Sequence, residues 1–185
     1  MTQPDGEAEW APDTAALAQP RPEASLAERT AGNVVATSMR FTASLEAAWE
    51  TIMFYEQIDE RPPLYLRWLL PTPLGTEGRK TEVGDEARCL YRGGHLIKRV
   101  TEVEAPRRYV FEVSEQQLTV GGGMRLSGGD YQLSPAPDGA TEVRLTTRYT
   151  SPLRPRWLFA RIEALICHLF HRHILGAMRR VAASK

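Results

Sequence analysis

Behind Pro152 and Pro155 the chain carries its most restrictive pattern, a helical period that runs from about Arg156 to Ala182. Leu158, Ile162, Leu165, Ile166, Leu169, Phe170 and Ala177 recur at helical spacing as one wide apolar stripe, with Arg161, His168, Arg172 and Arg179 opposite. A helix this long and this one-sided must lie against an equally apolar surface, which the rest of the chain has to provide.

That surface is written upstream in period two. From Gly84 onward, alternating segments are separated by turn signals at Arg92-Gly93-Gly94, Glu104-Ala105-Pro106, Val120 to Gly123 and Pro135 to Gly139, which is hairpin spacing. Ala87, Cys89 and Tyr91 share one face of their strand, as do Tyr109, Phe111 and Val113, and Val143, Leu145, Thr147 and Tyr149. Each strand thus has one apolar face, as antiparallel sheets do. Gly128 and Gly129 separate Met124 and Leu126 from Tyr131 and Leu133, which have the opposite parity. A bulge reconciles the two runs, and bulges bend sheets, so the pattern predicts a curved sheet with a concave side.

The ordered domain is expected over residues 33–182. Val35, Met39 and Phe41 alternate with Ala36, Ser38 and Arg40 as a strand. Ser44 then caps a helix whose stripe is Leu45, Ala48, Trp49, Ile52 and Met53. Residues 56–83 are punctuated by Pro62, Pro63, Pro71, Pro73, Gly75 and Gly78, and a short helix flanked by loops is expected around Leu64 to Leu70. Two roles fit the 62–74 segment, a lid over a cavity mouth or a seal in which Trp68 closes the core edge. This reading yields six strands. Residues 1–32, rich in Ala, Pro, Glu and Asp, bury too little to offset ordering and are expected to be disordered.

The 185 residues carry no net charge, so bulk electrostatics nominate no partner and nucleic acid is not suggested. The charge is unevenly placed: the front is acidic, and the back carries Arg154, Arg156, Arg161, Arg172, Arg179, Arg180 and Lys185 against Glu163 alone. That face is either simply solvated or a contact for an anionic surface. Cys89 and Cys167 lack metal-type spacing, and no apolar run approaches the roughly 18 residues of a membrane span. A reduced, cytoplasmic setting is the expectation.

Strand, helix, antiparallel hairpins and long terminal helix resemble, from about Asn33 to Arg180, the SRPBCC or START-related superfamily, which includes polyketide cyclase/dehydrase-like proteins. The likeness is carried by Phe41-Thr-Ala-Ser-Leu-Glu-Ala-Ala-Trp49, Val83-Gly-Asp-Glu-Ala-Arg88, Arg99-Val-Thr-Glu-Val-Glu-Ala-Pro-Arg-Arg-Tyr109 and Thr146-Thr-Arg-Tyr149. It implies an α+β helix-grip fold, a curved antiparallel sheet wrapped around the long C-terminal helix. It also implies a cavity for a small hydrophobic molecule such as a lipid or polyketide, which some members transform and many only bind. The lining expected here is Tyr91, Phe111, Met124, Tyr149, Leu165, Leu169 and His173.

His173 falls between the directions of Ile162 and Ile166 and is therefore expected to face the sheet. It is read either as a core histidine or as the acid/base of a cyclase- or hydratase-like enzyme, with Arg99 or Tyr149 polarising a ligand carbonyl. Cys167, His168 and His171 invite comparison with a metal cluster, but the helical pattern turns them to the polar side, and neither metal nor cofactor is expected. Gly121-Gly122-Gly123 lacks the Lys-Ser/Thr of a phosphate loop and reads as a hairpin turn. Three functions follow: a non-catalytic binder of a hydrophobic ligand, an enzyme on such a ligand, and a lipid carrier making peripheral membrane contact.

Overall fold

A computed structural model describes residues 32–53 and 73–184 of the chain. The tail assigned to residues 1–32 lies outside the described residues except for Gly32, and so does the segment from Leu64 to Leu70 with Trp68. Strand β1 (Asn33–Phe41) leads into helix α1 (Leu45–Met53), whose first turn is capped as expected, the Ala47 amide donating to Ser44 Oγ at 3.2 Å. Six further strands follow: β2 (Pro73–Gly78), β3 (Glu86–Tyr91), β4 (Gly94–Glu104), β5 (Arg108–Gln117), β6 (Arg125–Pro135) and β7 (Thr141–Thr150). Helix α2 (Arg156–Ala182) closes the domain over the span that its sequence pattern predicts.

The strands form one seven-stranded antiparallel sheet in the order β1-β7-β6-β5-β4-β3-β2. The sequence reading missed β2, because Pro73, Gly75 and Gly78 are loop residues by composition. An edge strand tolerates them, and β2 pairs on one side only, with β3. β1 and β7 pair from Asn33↔Tyr149 to Phe41↔Thr141, so the first and last strands are neighbours and the odd-numbered residues of both share the inner face. The predicted bulge is present: the β6–β7 register shifts between Leu126 and Gly128, which returns Leu126 and Tyr131 to the same face.

Gly94 and Gly129 are among the glycines required by close approach. Gly94 has φ 154°, and a Cβ there would sit 1.7 Å from the Gln117 carbonyl oxygen. At Gly129 a Cβ would sit 2.5 Å from the Thr146 carbonyl oxygen and 2.8 Å from the Phe111 ring, so the missing side chain lets that ring approach the β6 backbone.

The main core lies between the inner face of β1, β6 and β7 and the two helices, with Phe41, Val143, Leu145, Ile174, Leu175 and Met178 buried together. α2 packs chiefly on β1, with smaller contacts to α1 and β7. The helix therefore sits toward one side of the sheet. A separate small cluster, Met53, Val100 and Tyr109, with Phe111 and Tyr131 packed on it, occupies the inner face further along.

Candidate functional site

Polar side chains seat the helix. His171 is 1% exposed, its Nδ1 lying 3.0 Å from Thr37 Oγ1 on β1 and its Nε2 2.8 Å from Thr147 Oγ1 on β7. Thr37 Oγ1 also meets His168 Nδ1 at 2.8 Å. Burial, helped by His168, pushes the His171 pKa down to about 4, so the ring is neutral at pH 7 and each ring nitrogen still has a hydroxyl partner. Two turns earlier, Glu163 is buried and takes a bidentate contact from Arg156, at 3.0 and 2.9 Å, and one from Ser151 Oγ at 2.6 Å. The Tyr149 hydroxyl donates to the same carboxylate. Burial pushes the Glu163 pKa up, but the bonds from Arg156, Ser151 and Tyr149 outweigh it, and the net shift is downward.

Further along the inner face, across β3 to β6, is a cavity lined by Ile52, Lys80, Ala87, Lys98, Tyr109, Phe111 and Tyr131, with about 20 Å³ of free space; no residue of α2 lines it. Its position follows from strand pairing. Ala87 pairs with Lys98, and Val100 with Phe111, so these side chains line up across β3, β4 and β5. Lys98 Nζ stands 4.9 Å from the centre of the Phe111 ring, a cation–π distance. Burial lowers the Lys98 pKa, Cys89, Tyr91, Tyr131 and Tyr109 raise it, and the net shift is upward. Lys80 is held down to about 7, mainly by burial and then by the charge of Lys98, with Cys89 opposing. A second depression of about 210 Å³, between Gln116, Leu118, Thr119, Gly123, Met124 and Arg125, is shallow and open. Gln116 spends its amide there on the Leu118 and Met124 carbonyls and the Leu126 amide, which makes it a loop brace.

No family model matches the chain, and no curated protein is significantly similar to it. Solved structures are similar in fold. A START superfamily protein from Mycobacterium smegmatis superposes with a TM-score of 0.57 at 12% identity, over 82% of this chain and 99% of that one. A Thermus thermophilus protein gives 0.57 at 14% identity, over 82% and 98% of the two chains. A Mesorhizobium loti protein gives 0.56 at 17% identity, over 83% and 98%. The fold is START-like. At these identities the likeness establishes the helix-grip architecture and leaves the chemistry to the residues.

Within the helix-grip frame, the predicted site residues divide. Phe111 lines the cavity, and Tyr91 lies half-buried at the end of β3, in register with Gly94. Met124 and Tyr149 are buried in another cluster with Val35 and Val120, and the Tyr149 hydroxyl is engaged by Glu163. Arg99 does not share the inner face with its neighbours Lys98 and Val100. It is exposed and in register with the exposed Glu86 and with Glu112. The triad of His173, Arg99 and Tyr149 is therefore not assembled here.

The orientation of α2 requires a correction. The residues that meet the sheet are Ala164, Cys167, His171, Ile174 and Met178, whereas Leu165 is 59%, Ile162 43% and Leu158 39% exposed. His173 is half-buried and lies about 200° around the helix from His171, at about 100° per residue. Leu169 is half-buried on that same far side. The large apolar stripe misled the sequence reading because much of the contact face is made of small residues, which permit close approach, and of polar residues whose partners come from other elements. A signal for this was available: Thr37 and Thr147 sit at inward parity among apolar neighbours, and inward hydroxyls require polar partners on whatever covers them.

Of the residues that line the cavity only Phe111 was in the expected lining, and sequence reasoning missed Ile52, Lys80, Ala87, Lys98, Tyr109 and Tyr131. Lys98 was legible by parity, since Leu96, Lys98 and Val100 alternate inward on a strand whose hairpin turn fixes the register to Ala87. Neither thiol is poised as a nucleophile: Cys89 is buried, and burial, with Glu163, pushes Cys167 up to about 11. Among the described residues no group of three His, Cys, Asp or Glu is placed to hold a metal ion.

Proposed function

We propose that the chain binds a small hydrophobic molecule, a lipid, a polyketide or a compound of that kind, on the inner face of the sheet where α1 meets β3 to β6. The observation that carries this reading is the position of the helix. Because α2 is pinned over β1 and β7 by His171, Thr37 and Thr147, the aromatic inner surface of Tyr109, Phe111 and Tyr131 borders a partly enclosed cavity instead of being packed beneath the helix. Such surfaces bind by removing apolar area from water, at about 25 cal/mol per Å² less ordering costs. Ala87→Leu places a larger side chain in the cavity wall and serves as the test. A panel of fatty acids, sterols and aromatic polyketides is expected to include one that raises the melting temperature of the native chain by several degrees at about 100-fold excess over its Kd, and not that of the variant. A panel in which no compound stabilises the native chain removes the reading.

Peripheral membrane contact is favoured by one separate observation. Trp157 is 70% exposed and, with Leu158, Ile162 and Leu165, stands among the exposed Arg154, Arg161 and Arg172. Apolar groups interleaved with arginines suit an anionic bilayer surface. Among the described residues no helix is long and apolar enough to cross a membrane, so this contact would be superficial. Flotation with phosphatidylserine vesicles is expected at low salt and is expected to be lost in the Trp157→Ser, Leu165→Ser double variant. Equal flotation of both proteins counts against it.

A further inference from the structure

The two edges of the sheet are built differently. β2 is short, begins at Pro73, carries Gly75 and Gly78, and shifts register against β3, all of which blunt an edge. β1 has none of these devices: its nine residues, Asn33–Phe41, contain no proline, glycine or lysine and pair with β7 without a register shift. Its single charged side chain, Arg40, is held by the Pro137 carbonyl at 2.8 Å and by Asp138 at 3.4 Å, in the turn between β6 and β7, on the side away from the edge. Among the described residues β1 pairs with β7 alone, so about half of its backbone N–H and C=O groups face outward along that edge.

The cationic flank of α2 stands over the same edge. His171 touches Thr37 on β1 and Thr147 on β7, which sets the helix above the seam between these strands, and His168 touches Thr37, which marks the flank turned toward β1. At about 100° per residue, His168 lies roughly 60° from His171, Arg161 and Arg179 roughly 80° and Arg172 roughly 100°, all in the same sense. In the opposite sense lie Phe170 and Ile174, which pack with Leu133, Val143 and Leu145 of β6 and β7. The three arginines are exposed, and among the described residues none of their guanidinium groups has an ion-pair or hydrogen-bond partner.

We propose that the open edge of β1 takes up an extended, acidic polypeptide segment of a partner as an added strand. The backbone edge supplies the hydrogen bonds, and the arginines select the partner. In a strand laid beside β1, alternate side chains turn to the inner face, beneath Arg161, Arg172 and Arg179, and accept charge-assisted hydrogen bonds there if they are carboxylates. The others lie beside Ala36 and Val34, which is 63% exposed. A second copy of this chain does not fit, because pairing two β1 strands about a dyad sets the arginine flanks of two helices against one another. A bilayer does not fit this edge either, since it leaves the backbone groups of β1 unpaired. The inference is independent of the cavity reading.

The test titrates the full chain into end-labelled nine-residue peptides at pH 7.5 in low salt, read by fluorescence anisotropy. A peptide alternating threonine and glutamate is expected to bind with a Kd in the micromolar range. Its threonine–glutamine counterpart is expected to bind at least tenfold more weakly, and so is the glutamate peptide with proline at its centre, which cannot complete the ladder. An Arg161→Gln, Arg172→Gln double variant, altered at exposed positions only, is expected to lose at least fivefold in affinity for the glutamate peptide. Equal binding of the proline peptide overturns strand addition, and equal binding of the glutamine peptide overturns the selection for acid. No binding of any peptide up to about 1 mM overturns the proposal outright. A double variant that keeps native affinity for the peptide but no longer floats with phosphatidylserine vesicles also overturns it, because the arginines then serve a bilayer. The three peptides decide the matter on the native chain even if the variant does not fold.

Discussion

Lowering the pH from 7.5 to 5.0 should weaken the fold through one side chain, His171. Its pKa is about 4 in the folded chain against about 6.5 when exposed, because protonation would place a charge in a buried site whose partners are two threonine hydroxyls, with a second imidazole nearby. With the folded pKa the lower of the two, the unfolded chain takes up the proton first as pH falls. The stabilisation is therefore complete above about 6.5, is lost progressively between about 6.5 and 4, and does not change further below that. The full difference of roughly 2.5 units corresponds to about 3 kcal/mol, of which about 2 kcal/mol is lost by pH 5.0. Domains of this size are stable by about 5–15 kcal/mol, so the loss is easily measured. Urea unfolding at pH 7.5, 6.5, 5.5 and 5.0 supplies the assay, with His171→Gln as the control that cannot titrate. The native chain should lose about 2 kcal/mol more than the variant across that range. Parallel pH profiles for the two proteins would refute the assignment of His171 as a neutral clamp between helix and sheet.

Two further substitutions probe the frame around the cavity. Gly129→Ala should cost about 1–3 kcal/mol in denaturant unfolding, since its Cβ would fall 2.5 Å from the Thr146 carbonyl oxygen, and it should weaken ligand binding by displacing the Phe111 ring; a neutral result would show that β6 adjusts freely. Tyr149→Phe removes a hydroxyl bonded to Glu163, so stability should fall by about 1 kcal/mol while the Kd for any cavity ligand stays within about twofold; a tenfold loss of affinity would return Tyr149 to the binding site.

The architecture was legible because it depends on periodicities that survive without coordinates. The period-two runs with their turn signals gave β3 to β7, the parity switch at Gly128 and Gly129 gave the bulge, and the unbroken helical period gave α2 over its observed span. β2 was not legible, because an edge strand needs few of the residues that mark strands. The site was read less well for a related reason. Apolar periodicity finds the face with the largest hydrophobic side chains, and on α2 that includes the exposed Leu158, Ile162 and Leu165. The contact face depends on pairings between distant segments, Thr37 and Thr147 with His171, and Ser151 with Glu163, which no local pattern contains. Arg99 and Lys98 show how narrow the margin is: they are adjacent in sequence, and the pleat sends one to solvent and the other into the cavity.

The most direct measurement is native mass spectrometry of the full chain purified from the cells that make it, without a denaturing step. If the hollow lined by Ala87, Tyr109, Phe111 and Tyr131 is a binding site, the folded protein should carry extra mass from a single small hydrophobic molecule that leaves on acid denaturation, and Ala87→Leu should reduce its occupancy. A folded chain that flies at its bare mass, together with an Ala87→Leu variant that does the same, would contradict the account.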